Sequence, residues 1–326
     1  MKLSPGKQKG LEHISNANNI ILATAMDQRG SLGKMIRSLN ENITYENGLR
    51  AFKQGVSEVL GNQSSSLLLD PEYGWDAAEK LNKEIGLIMA YEKTGYDATE
   101  KGRLPNLVDH YSVQDLVKAG ANAVKLLVYY DHKEDEEINQ TKKTLIKRVG
   151  DECKQNDVLF ILEPVSYSSE GLDSKGSEFV KKKPAIVEYF MVEFSKEIYG
   201  IDVLKVEVPV PIFHIEGYNQ YNNYDPIFSK DEAAKLYRSC SEKSRLPFIY
   251  LSGGVTNEQF IDTLHFAKEA GAKFSGSLCG RAIWKEGVEP FAKEGKDAYY
   301  EWLKTTGSKN LNKVMDTIKE TATPWS

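Results

Sequence analysis

Asp202-Val203-Leu204-Lys205-Val206-Glu207-Val208-Pro209-Val210 sets a single lysine inside an apolar, largely β-branched run that Pro209 closes. Runs of this kind are typical of strands in a parallel sheet covered on both faces. A lysine placed there must snorkel to water, pair with an anion, or titrate away from its ordinary range. The surrounding chain decides among the three.

Seven other stretches repeat the pattern, and each ends in polar or glycine-rich residues. Residues 20–26 run into Asp27-Gln28-Arg29-Gly30, residues 65–69 into Asp70-Pro71-Glu72-Tyr73-Gly74, and residues 86–91 into Glu92-Lys93-Thr94-Gly95-Tyr96. Residues 123–130 carry Lys125 in their interior, and residues 158–162 close on Glu163-Pro164. Residues 247–251 are tipped by Ser252-Gly253-Gly254 and residues 274–279 by Gly280-Arg281. Helical periodicity separates them over 47–60, 77–85, 112–120, up to 155, 185–199, 231–242 and 257–270, with Ser112 and Asp115 spaced as a capping box. A short helix over 8–16 precedes the series, and a helical extension over 286–326, holding Trp302 and Trp325, follows it. The Gly/Ser-rich segment 166–183 reads as a loop, and the aromatic, Asn-rich segment 212–229 as a cover over a site. The pattern predicts an α/β protein: a single (β/α)8 TIM barrel spanning residues 1–326, with a short N-terminal helix and a C-terminal helical extension.

Composition narrows the functions open to such a barrel. A net charge of −5 and only short lysine runs give no basic footprint for nucleic acid. The N-terminus lacks the apolar core of a signal peptide and no run approaches a membrane span, so a cytoplasmic protein with no membrane partner is expected. Cys153, Cys240 and Cys279 are widely spaced, as free thiols in a reducing compartment would be. The five histidines show no paired spacing, so no metal site is expected. No GxGxxG follows the first strand, which disfavours a nucleotide-binding dehydrogenase.

In a barrel of this type the polar residues at the C-terminal strand ends form the site. Lys125, Glu163 and Lys205 lie on three successive strands, 38 and 42 residues apart, about one βα unit each. Inward-pointing residues at similar height on strands about 4.8 Å apart would touch. That requires Lys125 to share a face with Ala123 and Leu127, and Lys205 with Val203 and Glu207. A lysine amine in an apolar interior beside a second cation becomes a nucleophile that attacks ketones, and the iminium is an electron sink for cleaving the adjacent carbon–carbon bond. Lys205 suits the nucleophile and Glu163 the proton carrier, with Lys125 and Asp27 assisting at substrate oxygens. A buried ion network without catalysis is the alternative. Ser252, Gly253, Gly254, Gly280 and Arg281 place amides and a guanidinium where barrels bind phosphate, and Gln28 and Arg29 are candidates for a second anion.

Together, Leu67 through Gly74, Ala90 through Asp97, Asp202 through Pro209, and Leu278-Cys279-Gly280-Arg281-Ala282 resemble the class I tagatose 1,6-bisphosphate aldolases of bacterial lactose and galactose catabolism. The similarity also takes in Asp27-Gln28-Arg29-Gly30 and Thr321-Ala322-Thr323-Pro324-Trp325. The resemblance implies reversible, metal-free cleavage of D-tagatose 1,6-bisphosphate to dihydroxyacetone phosphate and glyceraldehyde 3-phosphate. It further implies a Schiff base on Lys205, proton transfer by Glu163, assistance from Asp27 and Lys125, and action on fructose 1,6-bisphosphate as well. Its expected partners are sugar bisphosphates and triose phosphates, no cofactor is needed, and a homo-oligomer, dimer or tetramer, is compatible with it. Pro164 and Gly253 depart from the family pattern, and Pro164 resembles aldolases acting on sulfonated ketose 1-phosphates. Two alternatives therefore stay open: an aldolase for another anionic ketose 1-phosphate, and a non-catalytic sugar-phosphate sensor.

Overall fold

The computed structural model describes residues 3–93, 100–221 and 225–326. Eight parallel strands close into a barrel in chain order: β1 (Ile21–Ala25), β2 (Ser66–Leu69), β3 (Gly86–Ala90), β4 (Ala123–Tyr130), β5 (Leu159–Ser166), β6 (Val203–Val206), β7 (Phe248–Leu251) and β8 (Gly276–Cys279). The ring closes where Ile21 to Thr24 pair with Gly276 to Cys279. The expected (β/α)8 architecture is the observed one.

Each strand divides its residues between two cores, as period-two geometry requires. Ile21, Ala23, Leu68, Ile88, Ala123, Leu159, Ile161, Val203, Ile249 and Leu278 fill the barrel interior. Leu22, Leu67, Met89, Val124, Leu126, Phe160, Leu204 and Tyr250 face outward beneath the helices.

Along the chain the helices are α1 (Pro5–His13), α2 (Gly30–Leu39), α3 (Tyr45–Val59), α4 (Trp75–Ala78), α5 (Val113–Lys118), α6 (Glu136–Gln155), α7 (Ser177–Glu193), α8 (Lys230–Lys243) and α9 (Asn257–Glu269). After β8 come α10 (Arg281–Trp284), α11 (Val288–Lys293), α12 (Lys296–Trp302) and α13 (Ser308–Thr321). Reciprocal capping boxes start α5 at Ser112/Asp115, α8 at Ser229/Glu232 and α9 at Thr256/Gln259, each satisfying two otherwise orphaned N–H groups. Among the described residues no helix is long and apolar enough to cross a membrane.

Three local expectations change. The helix expected over 77–85 is the single turn α4. The loop expected over 166–183 already contains the start of α7, which carries Pro184 internally. Strand β5, expected to stop at residue 162, continues through Pro164 to Ser166 beside β4. Proline is tolerated there because the Asp202 N–H bonds Phe160 O, so even-numbered residues of β5 face β6, and that ladder ends at Leu162–Leu204. The missing N–H of Pro164 thus leaves no ladder bond unmade.

The N-terminal end of the barrel is sealed. Leu11 and Ile14 of the α1 segment join the interior core, with Leu3 and Trp325 against it. Lys7 Nζ lies 2.7 Å from Asp202, whose carboxylate also accepts the Phe160 N–H at 2.8 Å. Trp325 Nε1 donates to Ser15 Oγ at 2.9 Å, which pins the C-terminal tail to the same end. The polar strand tips line the opposite mouth.

Candidate active site

Strand parity delivers the charges to the interior. Lys125 stands two residues beyond Ala123 and Lys205 two beyond Val203, and both Ala123 and Val203 belong to the inner core. Leu127 pairs with Glu163 across β4–β5, and Ile161 with Val203 across β5–β6. The three side chains meet as their shared parity requires. Glu163 Oε1 is 2.8 Å from Lys205 Nζ, and Glu163 Oε2 is 2.8 Å from Lys125 Nζ. Lys125 Nζ also lies 2.8 Å from Asp27 Oδ2 and 2.6 Å from Glu92 Oε1. Lys125 is fully buried, and Lys205 and Glu163 nearly so.

Lys125 is therefore held among three carboxylates, with Glu163 between it and Lys205. That differs from the bare neighbouring cation expected from the sequence. Burial opposes the charge on Lys125, but Asp27, Glu163 and Glu92 together raise its pKa well above the ordinary lysine value. Burial likewise opposes ionisation of Asp27, yet Lys125 and then Lys205 outweigh it and hold the carboxyl well below its usual range. Lys125 is a fixed cation and Asp27 a fixed anion.

Glu92, just past the end of β3, pairs with Lys125. Its Oε2 accepts the Leu127 N–H at 2.9 Å, locking β3 to β4 at the mouth. The available signal was its position two residues past Ala90, on the inward parity of β3. The rest of that tip motif, Thr94 through Asp97, lies outside the described residues.

The tips of β7 and β8 sit side by side. Gly253 and Gly254 adopt left-handed φ values of 61° and 82°. A Cβ at Gly254 would come within 3.0 Å of Arg281 Cζ and Nη2, so the glycine lets the backbone lie against the guanidinium. A cleft of about 650 Å³ opens beside Gly254 and Arg281, with Met35, Leu39, Asn257 and Lys313 in its walls. Ser252 is buried, and burial pushes the Cys279 thiol up to about 12, so Cys279 is no nucleophile.

Gln28 and Arg29 diverge. The Gln28 amide lies next to Gly280, close enough that a Cβ there would be 3.4 Å from Gln28 Nε2. Arg29 is buried, pairs with Glu72, and donates to the Glu92 carbonyl at 2.8 Å. His132 stacks on Tyr189, and His214 is buried with its pKa lowered by burial and then by Lys183. Among the described residues no three His, Cys, Asp or Glu side chains are grouped to hold a metal ion. In the expected cover, residues 222–224 lie outside the described residues, and Tyr221 donates to Asp262 of α9 at 2.6 Å.

A closed barrel with a lysine–carboxylate cluster in its mouth suits carbon–carbon bond cleavage, and the relatives of the chain place it among the carbon–carbon lyases. Over residues 21–286 the chain matches the profile described as DeoC/LacD family aldolase. It is 46% identical, over 100% of its length and 97% of the relative's, to tagatose 1,6-diphosphate aldolase 2 of Enterococcus faecalis. It is 44% identical to tagatose 1,6-diphosphate aldolase of Listeria monocytogenes over 100% of this chain and 95% of that one. It is 45% identical to the protein of the same name from Staphylococcus haemolyticus over 100% and 99%. A solved structure of fructose-bisphosphate aldolase from Plasmodium falciparum superposes with a TM-score of 0.72 at 14% identity, covering 99% of this chain and 97% of the other, a likeness of fold. The chain belongs to the DeoC/LacD aldolase family and is a lyase.

Proposed function

We propose that this aldolase reversibly cleaves D-tagatose 1,6-bisphosphate, and other ketohexose 1,6-bisphosphates such as fructose 1,6-bisphosphate, to dihydroxyacetone phosphate and glyceraldehyde 3-phosphate through a Schiff base on Lys205. The observation that carries this reading is Glu163 bridging Lys205 and Lys125 at 2.8 Å each inside the barrel mouth. Full-length relatives named for the tagatose substrate support it.

In this reading Glu163 takes a proton from the Lys205 ammonium, and the freed amine adds to the C2 carbonyl. Glu163 returns that proton to the carbinolamine hydroxyl, which leaves as water and gives the iminium. The C4 hydroxyl then loses its proton to a carboxylate of the cluster, the C3–C4 electrons move into the iminium, and glyceraldehyde 3-phosphate departs. Protonation of the enamine at C3 and addition of water release dihydroxyacetone phosphate. Lys125, a fixed cation, and Asp27, a fixed anion, orient the hydroxyls of the open chain. Arg281, Ser252 and the amides of Gly253, Gly254 and Gly280 receive the 1-phosphate, with Gln28 beside them. No metal takes part. The three free, buried cysteines support a cytoplasmic setting.

Borohydride reduction in the presence of dihydroxyacetone phosphate, followed by peptide mass spectrometry, tests the reading, which requires an adduct on Lys205. A second reading, cleavage of another anionic ketose 1-phosphate such as a sulfonated one, draws on Pro164 beside the catalytic glutamate and on the commitment of Arg29 to Glu72. Turnover of bisphosphate against sulfonated substrate separates the two.

A further inference from the structure

Lys53, on the inner face of α3, is a fully buried ammonium that sits behind the site without touching it. Its Nζ donates to the carbonyls of Met26 at 2.6 Å and Gln28 at 2.9 Å, the two residues flanking Asp27. It also lies 2.7 Å from Asp70 Oδ2, itself fully buried at the tip of β2. The other Asp70 oxygen accepts the N–H groups of Glu72 at 3.1 Å and Tyr73 at 2.9 Å.

These contacts close a circuit around the tips of β1 to β4. Lys53 holds Asp70, Asp70 shapes the turn that carries Glu72, and Glu72 pairs with Arg29. Arg29 bonds the Glu92 carbonyl, the Glu92 carboxylate holds Lys125, and Lys125 holds Asp27, whose flanking carbonyls return to Lys53.

Location explains why a clamp is needed at this point. The β1–β2 ladder ends with Ala25 opposite Leu68, and its last bond runs from the Met26 N–H to Leu68 O at 2.8 Å. Beyond it, among the described residues, no neighbouring strand pairs with the peptide that carries Asp27, and Lys53 supplies donors to the carbonyls on either side. Burying a lysine–aspartate pair costs several kcal/mol per ion in desolvation, and an apolar pair would be no worse for stability alone. A role in geometry accounts for the charge.

We infer that Lys53 is a positioning residue for the aldol reaction: with Asp70 it fixes the Asp27 turn, so that Asp27 meets Lys125 and the substrate hydroxyls in one orientation. The inference rests on the reaction proposed above. It assigns Arg29 a share in the same circuit.

The test compares wild type with the double variant Lys53→Met/Asp70→Asn, because Lys53→Met alone strands a buried carboxylate and can unfold the barrel. The asparagine retains an oxygen for the Glu72 and Tyr73 N–H groups. The double variant is expected to keep its circular dichroism, to form the borohydride adduct with dihydroxyacetone phosphate in wild-type yield, and to hold KM for fructose 1,6-bisphosphate within about threefold, while kcat falls about 10- to 100-fold. Asp27→Asn should cost much less in that background than in wild type, the non-additivity expected of residues acting as one unit. Wild-type kcat in the double variant, or an equal Asp27→Asn penalty in both backgrounds, overturns the inference. A fall in adduct yield and kcat in equal proportion does so too, since that marks general loosening. Absence of an adduct in wild type instead sinks the reaction reading on which the inference depends.

Discussion

Glu163 Oε1 lies 2.8 Å from Lys205 Nζ, and both groups are buried in the mouth of the barrel. In the proposed reaction this contact puts a proton carrier against the amine from which a proton must leave.

Replacing Lys205 with methionine should therefore abolish both cleavage and the borohydride adduct, while Glu163→Gln should slow turnover by about 10²- to 10⁴-fold, as loss of a general acid/base does. Steady-state kinetics and mass spectrometry report the two. Near-normal turnover by Lys205→Met would refute the assignment, and a loss below tenfold in Glu163→Gln would take proton transfer away from Glu163.

Asp27 and Lys125 make a pH prediction. The folded-state pKa of Asp27 is depressed, so its ionisation stabilises the fold above the ordinary carboxyl value of 3.8, and that contribution is lost as pH falls through the lower folded value. The pKa of Lys125 is raised, so its contribution is complete below 10.5 and fades only at higher pH. Both stay charged across neutrality, and any acid limb in kcat belongs to another group. Asp27→Asn should lower the plateau of the kcat profile between about pH 5 and 9 without shifting that limb. Disappearance of the limb in the variant would contradict this.

At the β7–β8 tips, Arg281→Ala should raise KM for the bisphosphate about 10- to 100-fold, equivalent to the roughly 1.5–3 kcal/mol of hydrogen bonds to a charged group, with kcat much less affected. Gly254→Ala should act in the same direction, because its Cβ would fall 3.0 Å from the guanidinium on a backbone at φ 82°. Unchanged KM in both variants would place the 1-phosphate elsewhere.

A stability prediction concerns Lys142, fully buried on α6, which donates to Tyr167 Oη at 3.1 Å and lies 4.7 Å from the centre of that ring. Burial pulls its pKa down to about 8, with Glu134 and then Asp131 opposing. The unfolded chain then binds more protons than the folded one between about pH 8 and the ordinary lysine value of 10.5, so stability gains from this group as pH rises through that window. Lys142→Met should be more stable than wild type at pH 7, with the gap narrowing from pH 8 to 10 in urea titrations. A gap that is constant or widens argues against a buried, destabilised ammonium.

Several of these features were legible in the sequence because they follow from periodicity. Lys125, Glu163 and Lys205 each share the parity of inward apolar neighbours, and alternation alone sets which face a side chain takes. The capping box at Ser112 depends on spacing along one chain, and it formed as read. The start of α7 was not legible, since Pro184 and the polar residues before it carry a loop's composition and helix packing overrode it. Arg29 was not legible either: as a strand-tip arginine it suits an anion, and only the approach of Glu72 from β2 shows where it is spent.

By itself the sequence determined the strand faces, the number and order of the strands, and the residue types available at the mouth, because these depend on covalent spacing and local burial. Only the tertiary structure decided which charges meet. Lys125 acquires three carboxylate partners from β1, β3 and β5 or the turns just beyond them, and Lys53 reaches from a helix to the carbonyls flanking Asp27. Such contacts depend on the stagger at which the barrel closes and on how each helix lies against its strands, and those are properties of the whole packed chain that no short segment encodes.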